Sequence, residues 1–73
     1  MSRLVRMDAR GHSQLAEWSG PGTGHEQAAQ ALREELEQGY IAVWDHRDGT
    51  ATQIRELPEE ADLVILRRPI AGG

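Results

Sequence analysis

The sequence predicts an α+β domain in which one helix packs across a mixed sheet, with its elements in the order β-β-α-β-β-β. Three observations lead to that class. Residues 24–38 carry Ala28, Leu32 and Leu36 at an i, i+4 helical spacing, widened by Ala29. Short apolar or alternating runs bounded by Gly, Pro and Asp lie on either side, two before the helix and three after it. The chain has 73 residues, enough for one domain at most. A lone amphipathic helix must bury its apolar stripe, and a sheet built from the flanking runs is the surface available to it.

The elements follow in order. Residues 3–8 form an apolar run (Leu4, Val5, Met7) that can pair as a strand. Residues 9–12 read as a turn with Gly11 available for positive φ, and residues 13–18, with Leu15, return as the second strand of a hairpin. Ser19 to Gly24 is rich in breakers. Thr23 followed three residues later by Glu26 forms a capping-box pattern at the helix start. Glu34, Glu35 and Glu37 are expected on the solvent side of the helix, and Gly39 supplies the left-handed residue that ends it. Residues 40–45 alternate as a strand, with Ile41 and Val43 expected toward the helix and Tyr40, Ala42 and Trp44 on the open face. His46-Arg47-Asp48-Gly49 is a turn with a strong Asp-Gly hairpin signal. Residues 50–57 return as a strand with Thr52 and Ile54 on one face, interrupted at Pro58-Glu59-Glu60. The continuous run Leu63-Val64-Ile65-Leu66 predicts a strand covered on both faces or central in its sheet. A ferredoxin-like arrangement would need a second helix, and residues 58–61 are too few to form one.

Composition narrows the function classes. A chain this short buries only about 60% of the surface its unfolded form exposes, which leaves little room for a walled cleft. There is no cysteine, hence no disulfide, thiolate metal site or cysteine nucleophile. His12, His25 and His46 lack metal-ligand spacing, and His25-Glu26 begins no HExxH motif. Asp8, Glu17, Asp45 and Asp48 show no pattern that would pair two carboxylates for acid–base chemistry. The segment Gly20-Pro21-Gly22-Thr23-Gly24 lacks the P-loop lysine, and a plain loop is expected. The chain is therefore not expected to be an enzyme, and no cofactor is expected. A net charge of −4 without a basic stripe does not suit nucleic acid. No apolar run approaches the roughly 18 residues of a membrane span, and the first residues lack a signal-peptide core. A cytoplasmic monomer is expected. All eight basic residues are arginine. A GC-rich genome would account for that choice, and so would handling by acyl-transfer machinery, which favours a protein that offers no lysine amine of its own. Either way, chains linked through internal lysines cannot form.

The last strand is expected to end near Arg67-Arg68, ahead of Pro69-Ile70-Ala71-Gly72-Gly73. Proline fixes φ and disfavours helix in the residue before it, so residues 69–73 should leave residues 1–68 as a flexible extended tail. Five residues reach at most about 18 Å. Terminal glycines could thread a channel too narrow for any side chain. A terminal carboxylate, with a reference pKa of roughly 3.3–3.7, is ionised at neutral pH and can attack a phosphoryl group.

With Pro69, Ala71, Gly72 and Gly73 in those places, and this element order, the chain resembles the ubiquitin-like superfamily. Its tail is most similar to that of small sulfur carriers such as the small subunit of molybdopterin synthase. The resemblance implies a β-grasp fold over residues 1–68. It also implies activation of the Gly73 carboxylate by an ATP-dependent adenylating enzyme, with transfer to an acceptor protein or a sulfurtransferase. Gly73 would then be the reacting residue and Gly72 the clearance residue beside it. Pro69, Ile70 and Ala71 would provide docking and reach, and Arg67 and Arg68 would offer charge to an acidic partner surface. Tyr40 and Trp44 are the candidate contacts on the sheet face. Ile70-Ala71 stand where modifiers usually carry arginine, and Arg67-Arg68 where sulfur carriers often carry an aromatic residue and proline. Modifier and sulfur carrier therefore both stay open, and the alternative is a non-covalent β-grasp adaptor with an inert tail.

Overall fold

The computed structural model describes residues 2–8, 11–19 and 24–68. Five strands and one helix follow the expected order: β1 (Ser2–Asp8), β2 (Gly11–Trp18), α1 (His25–Glu37), β3 (Ile41–Asp45), β4 (Ala51–Ile54) and β5 (Leu63–Arg67). The strands form one mixed sheet in the order β2-β1-β5-β3-β4. Its β1–β5 pair is parallel, and the β1–β2, β3–β5 and β3–β4 pairs are antiparallel. The apolar run Leu63-Val64-Ile65-Leu66 thus becomes the central strand. One of its faces is covered and the other is open, so the continuous apolar pattern reflects central position rather than two covered faces.

The covered face is built in rows. Ala16, Leu4, Val64, Trp44 and Thr52 stand side by side across all five strands, and Leu66, Ala42 and Ile54 form the next row. Ala28 and Leu32 of α1 close over them, together with Leu57 and Ala61 from the segment between β4 and β5. Trp18 is 2% exposed, and its indole N–H donates to Glu59 O at 3.2 Å. One large aromatic thus fills the space that the small side chains of α1 leave, and its polar edge is satisfied.

Both ends of α1 depend on glycine. The N-cap is Gly24 (φ 97°), which has no side chain to cap with, so the capping box expected from Thr23 is not the device used. A Cβ on Gly24 would lie 2.7 Å from Glu17 O, so this close approach to the end of β2 admits glycine alone. Thr23 itself lies outside the described residues. At the other end Gly39 takes φ 98°. Its N–H donates to Leu36 O and that of Tyr40 to Glu35 O, both at 3.1 Å, which is the Schellman arrangement.

Three expectations need correction. Glu35 is not on the solvent side: it is 9% exposed and faces the sheet. The helical period places residues 28, 32 and 35 on one stripe, at i, i+4 and i+7, so position overrides charge. The faces of β3 are inverted relative to expectation. Ala42 is fully buried and Tyr40 and Trp44 pack against the core, while Ile41 and Val43 point away. Ala42 belongs to the buried cluster, and the two aromatics flank it on the same face. Finally, β4 is shorter than expected, since Arg55 and Glu56 turn away and Leu57 enters the core from a loop. Among the described residues, no helix is long and apolar enough to cross a membrane.

Candidate functional site

The residues of the expected tail, Pro69, Ile70, Ala71, Gly72 and Gly73, lie outside the described residues. What the structure does place is the strand end that leads into them. Arg67 is the last residue of β5, and its pairing with Ile41 closes the β3–β5 ladder. Arg67 and Arg68 are both exposed, yet strand alternation sends them to opposite faces of the sheet. The paired arginines of the sequence are therefore two separate features.

Arg68 is on the covered face. Continuing the β3–β5 register by one residue puts it opposite Tyr40, and its guanidinium carbon lies 5.1 Å from the centre of the Tyr40 ring. A second guanidinium, that of Arg6 on β1, lies 5.8 Å from the same centre. Arg6 Nη1 donates to Glu35 Oε1 at 2.7 Å, and Arg6 Nε lies 3.9 Å from Asp8 Oδ2. The Glu35 side chain is only 12% exposed, so this carboxylate is held largely away from water by one strong charged partner. Helix α1, β1, β3 and β5 therefore meet in an Arg6–Glu35–Tyr40–Arg68 cluster at the point where β5 ends.

Arg67 belongs to the other face. There Val5, Ile65 and Val43 stand in register across the three central strands, with Gln14 and Gln53 at the two edges of the row. Leu63 and Ile41 flank them, and all five aliphatic residues are half-buried. Met7 is 39% exposed on the same face. Sequence reasoning placed partner contact at Tyr40 and Trp44, but the structure packs both against the core. The aliphatic row was missed because the alternation in β3 was assigned to the wrong face. The signal that could have found it is that Ala42, not Val43, is the residue small enough to lie beneath a covering segment.

A further aromatic contact lies toward the end of β3. Trp44 and His46 have ring centroids 4.5 Å apart, and His46 Nε2 is 2.8 Å from Thr52 Oγ1. His25 Nε2 lies 2.9 Å from Leu57 O and tethers the start of α1 to that loop. The β3–β4 turn is stapled by Asp45 Oδ1, which accepts from Arg47 N at 2.8 Å, and by Asp48 Oδ1, which accepts from Thr50 N at 2.9 Å. The hydroxyl and backbone N–H of Thr50 together hold the Asp48 carboxyl below its ordinary pKa. Among the described residues, no group of three or more His, Asp or Glu side chains is arranged to hold a metal ion. No protein-family model, curated protein or solved structure matches the chain.

Proposed function

We propose that the chain is a ubiquitin-like β-grasp protein that works through its Gly73 carboxylate, as a sulfur carrier or a protein modifier. The observation that carries this reading is the sheet order β2-β1-β5-β3-β4 around a parallel β1–β5 pair, with one helix across one face. That arrangement is what a β-grasp requires, and it makes β5 the central strand. The Pro69–Gly73 tail then follows the best-anchored strand, so a rigid body would present a short reactive segment. In the proposed chemistry a carboxylate oxygen of Gly73 attacks the α-phosphorus of ATP, and pyrophosphate leaves. Hydrosulfide released by a sulfur donor then displaces AMP to give a thiocarboxylate. Alternatively, an enzyme cysteine displaces AMP to give a thioester, which a target amine converts to an amide while the thiol departs. The chain supplies the acyl group and the docking surfaces; the adenylating enzyme supplies the chemistry.

The test is a pair of host strains carrying Gly72→Trp or a Gly73 deletion. Both proteins should melt at the wild-type temperature and lose carrier or conjugating activity entirely. Full activity in either strain would overturn the reading.

The open aliphatic row supports a second reading, a non-covalent adaptor. Val5, Ile65 and Val43 with their neighbours form an apolar surface of the kind that marks protein contacts. An adaptor would tolerate both tail changes and fail on Val43→Asp, with partner binding as the readout.

A further inference from the structure

We infer that Tyr40 is a positioning residue for the tail: it holds Arg68, and so fixes the strand end from which residues 69–73 are presented to the adenylating enzyme. The inference rests on Gly73 being the reacting residue. Arg68 lies one step past the end of the β3–β5 ladder, where no strand pairing restrains it. Its guanidinium instead lies against the Tyr40 ring, 5.1 Å from the centre. Arginine suits that contact, because its planar, weakly hydrated cation stacks on aromatic faces.

Tyr40 is a firm support. Its backbone N–H is held by Glu35 O at the end of α1, its side chain packs against the core, and Arg6 lies near its ring. Two guanidiniums sharing one ring would repel each other. The Glu35 carboxylate, bonded to Arg6 at 2.7 Å, offsets that repulsion from the Arg6 side. The ion pair inside the fold thus leaves the ring free to attract Arg68. An exposed cation–π contact favours the held state by about 2- to 5-fold. Releasing it loosens the strand end at Arg68, which weakens encounter with the enzyme and leaves the chemistry at Gly73 unchanged.

The experiment compares Tyr40→Leu, Tyr40→Phe and Arg68→Gln with wild type, each checked for an unchanged melting profile. Arg68→Gln alters an exposed side chain and guards against a Tyr40→Leu protein that fails to fold. One readout is the NMR shift of the Arg68 side-chain protons, which the Tyr40 ring current displaces. The other is KM and kcat for ATP-dependent pyrophosphate release, with the adenylating enzyme that activates wild type in host extract. Tyr40→Leu should abolish the ring-current displacement and Tyr40→Phe should retain it. KM should rise about 2- to 5-fold in Tyr40→Leu and Arg68→Gln, with kcat unchanged and Tyr40→Phe like wild type. An Arg68 signal that ignores Tyr40→Leu, or a KM that ignores the release of Arg68, overturns the inference. Failure of the wild-type protein to be activated at all overturns the functional reading and the positioning role with it. That failure is distinguishable, because the Arg68 signal would still respond to Tyr40→Leu.

Discussion

The two faces of the central strand separate residues that build the core from equally apolar residues that stay half-buried on the uncovered side. Val64 and Leu66 point into the core beneath α1 and are fully buried. Leu63 and Ile65, equally apolar, alternate with them on the face away from α1 and remain half-buried. The same division continues past the ladder, where Arg68 is drawn onto Tyr40 and Arg67 stays with the aliphatic row. Residue type alone does not distinguish these pairs. Their difference comes from which face α1 and the Leu57–Ala61 segment cover, and it shows that an apolar run can carry two roles in alternate residues.

The sharpest way to break this comparison is to truncate neighbours on opposite faces. Leu66→Ala should destabilise the protein by about 2–5 kcal/mol, since it leaves a cavity in a packed core. That is a large share of the stability of a domain this size, about 0.05–0.15 kcal/mol per residue. Ile65→Ala should lose about 1 kcal/mol, the contribution of cross-strand contact on a partly exposed face. Urea denaturation of the two variants measures the difference, and equal losses would show that both faces are covered.

A second comparison sharpens the picture along the helix. Glu35→Ala removes the carboxylate bonded to Arg6 at 2.7 Å and should lose about 1–2 kcal/mol, because the half-buried guanidinium then faces the more distant Asp8 carboxylate, 3.9 Å away, in its place. Glu34→Ala, one residue away and exposed, should change stability by about 0.5 kcal/mol or less. Denaturant midpoints for the two proteins test it. A Glu35→Ala protein as stable as Glu34→Ala would mean that the ion pair contributes nothing.

The contrast between these neighbours also shows what was legible in the sequence. The element order was readable because each break carries its own local chemistry: Gly39 ends the helix, Gly11 opens β2 with a positive φ, and Asp48-Gly49 lies in the turn between β3 and β4. The faces were less readable. Glu35 was assigned by its charge although it lies at i+7 from Ala28, and the partner Arg6 that makes its burial tolerable is 29 residues away. Likewise, β3 alternates between two plausible faces. Ala42 is inside because its face carries the buried cluster formed with Ala28 and Leu32 of α1 and with Leu57 and Ala61, the last two from a loop without a periodic signal. Long-range pairing decides such positions, and a one-residue error flips every side chain. At the candidate site, Arg67 and Arg68 were found as a pair, but their separation onto opposite faces needed the register.

The smallest expected effect lies in the β3–β4 turn. Asp48 is held below its ordinary pKa of about 3.8, first by the Thr50 hydroxyl and then by the Thr50 backbone N–H. Because folding favours its charged form, its contribution is present above the unfolded pKa and disappears as pH falls through the lowered folded value. Thr50→Ala should therefore raise the Asp48 pKa toward the ordinary value, as read by an NMR titration of its carboxyl carbon. An unchanged titration would remove the staple from the account.

The central claim is that Gly73 is the group that reacts, and intact mass spectrometry of the protein recovered from its native host tests it most directly. A Gly73-deleted protein serves as the control. The account predicts a wild-type species in which sulfur replaces one C-terminal oxygen, or conjugates that leave a Gly-Gly remnant on target amines, with neither form in the control. Finding only the unmodified chain in both samples would contradict it.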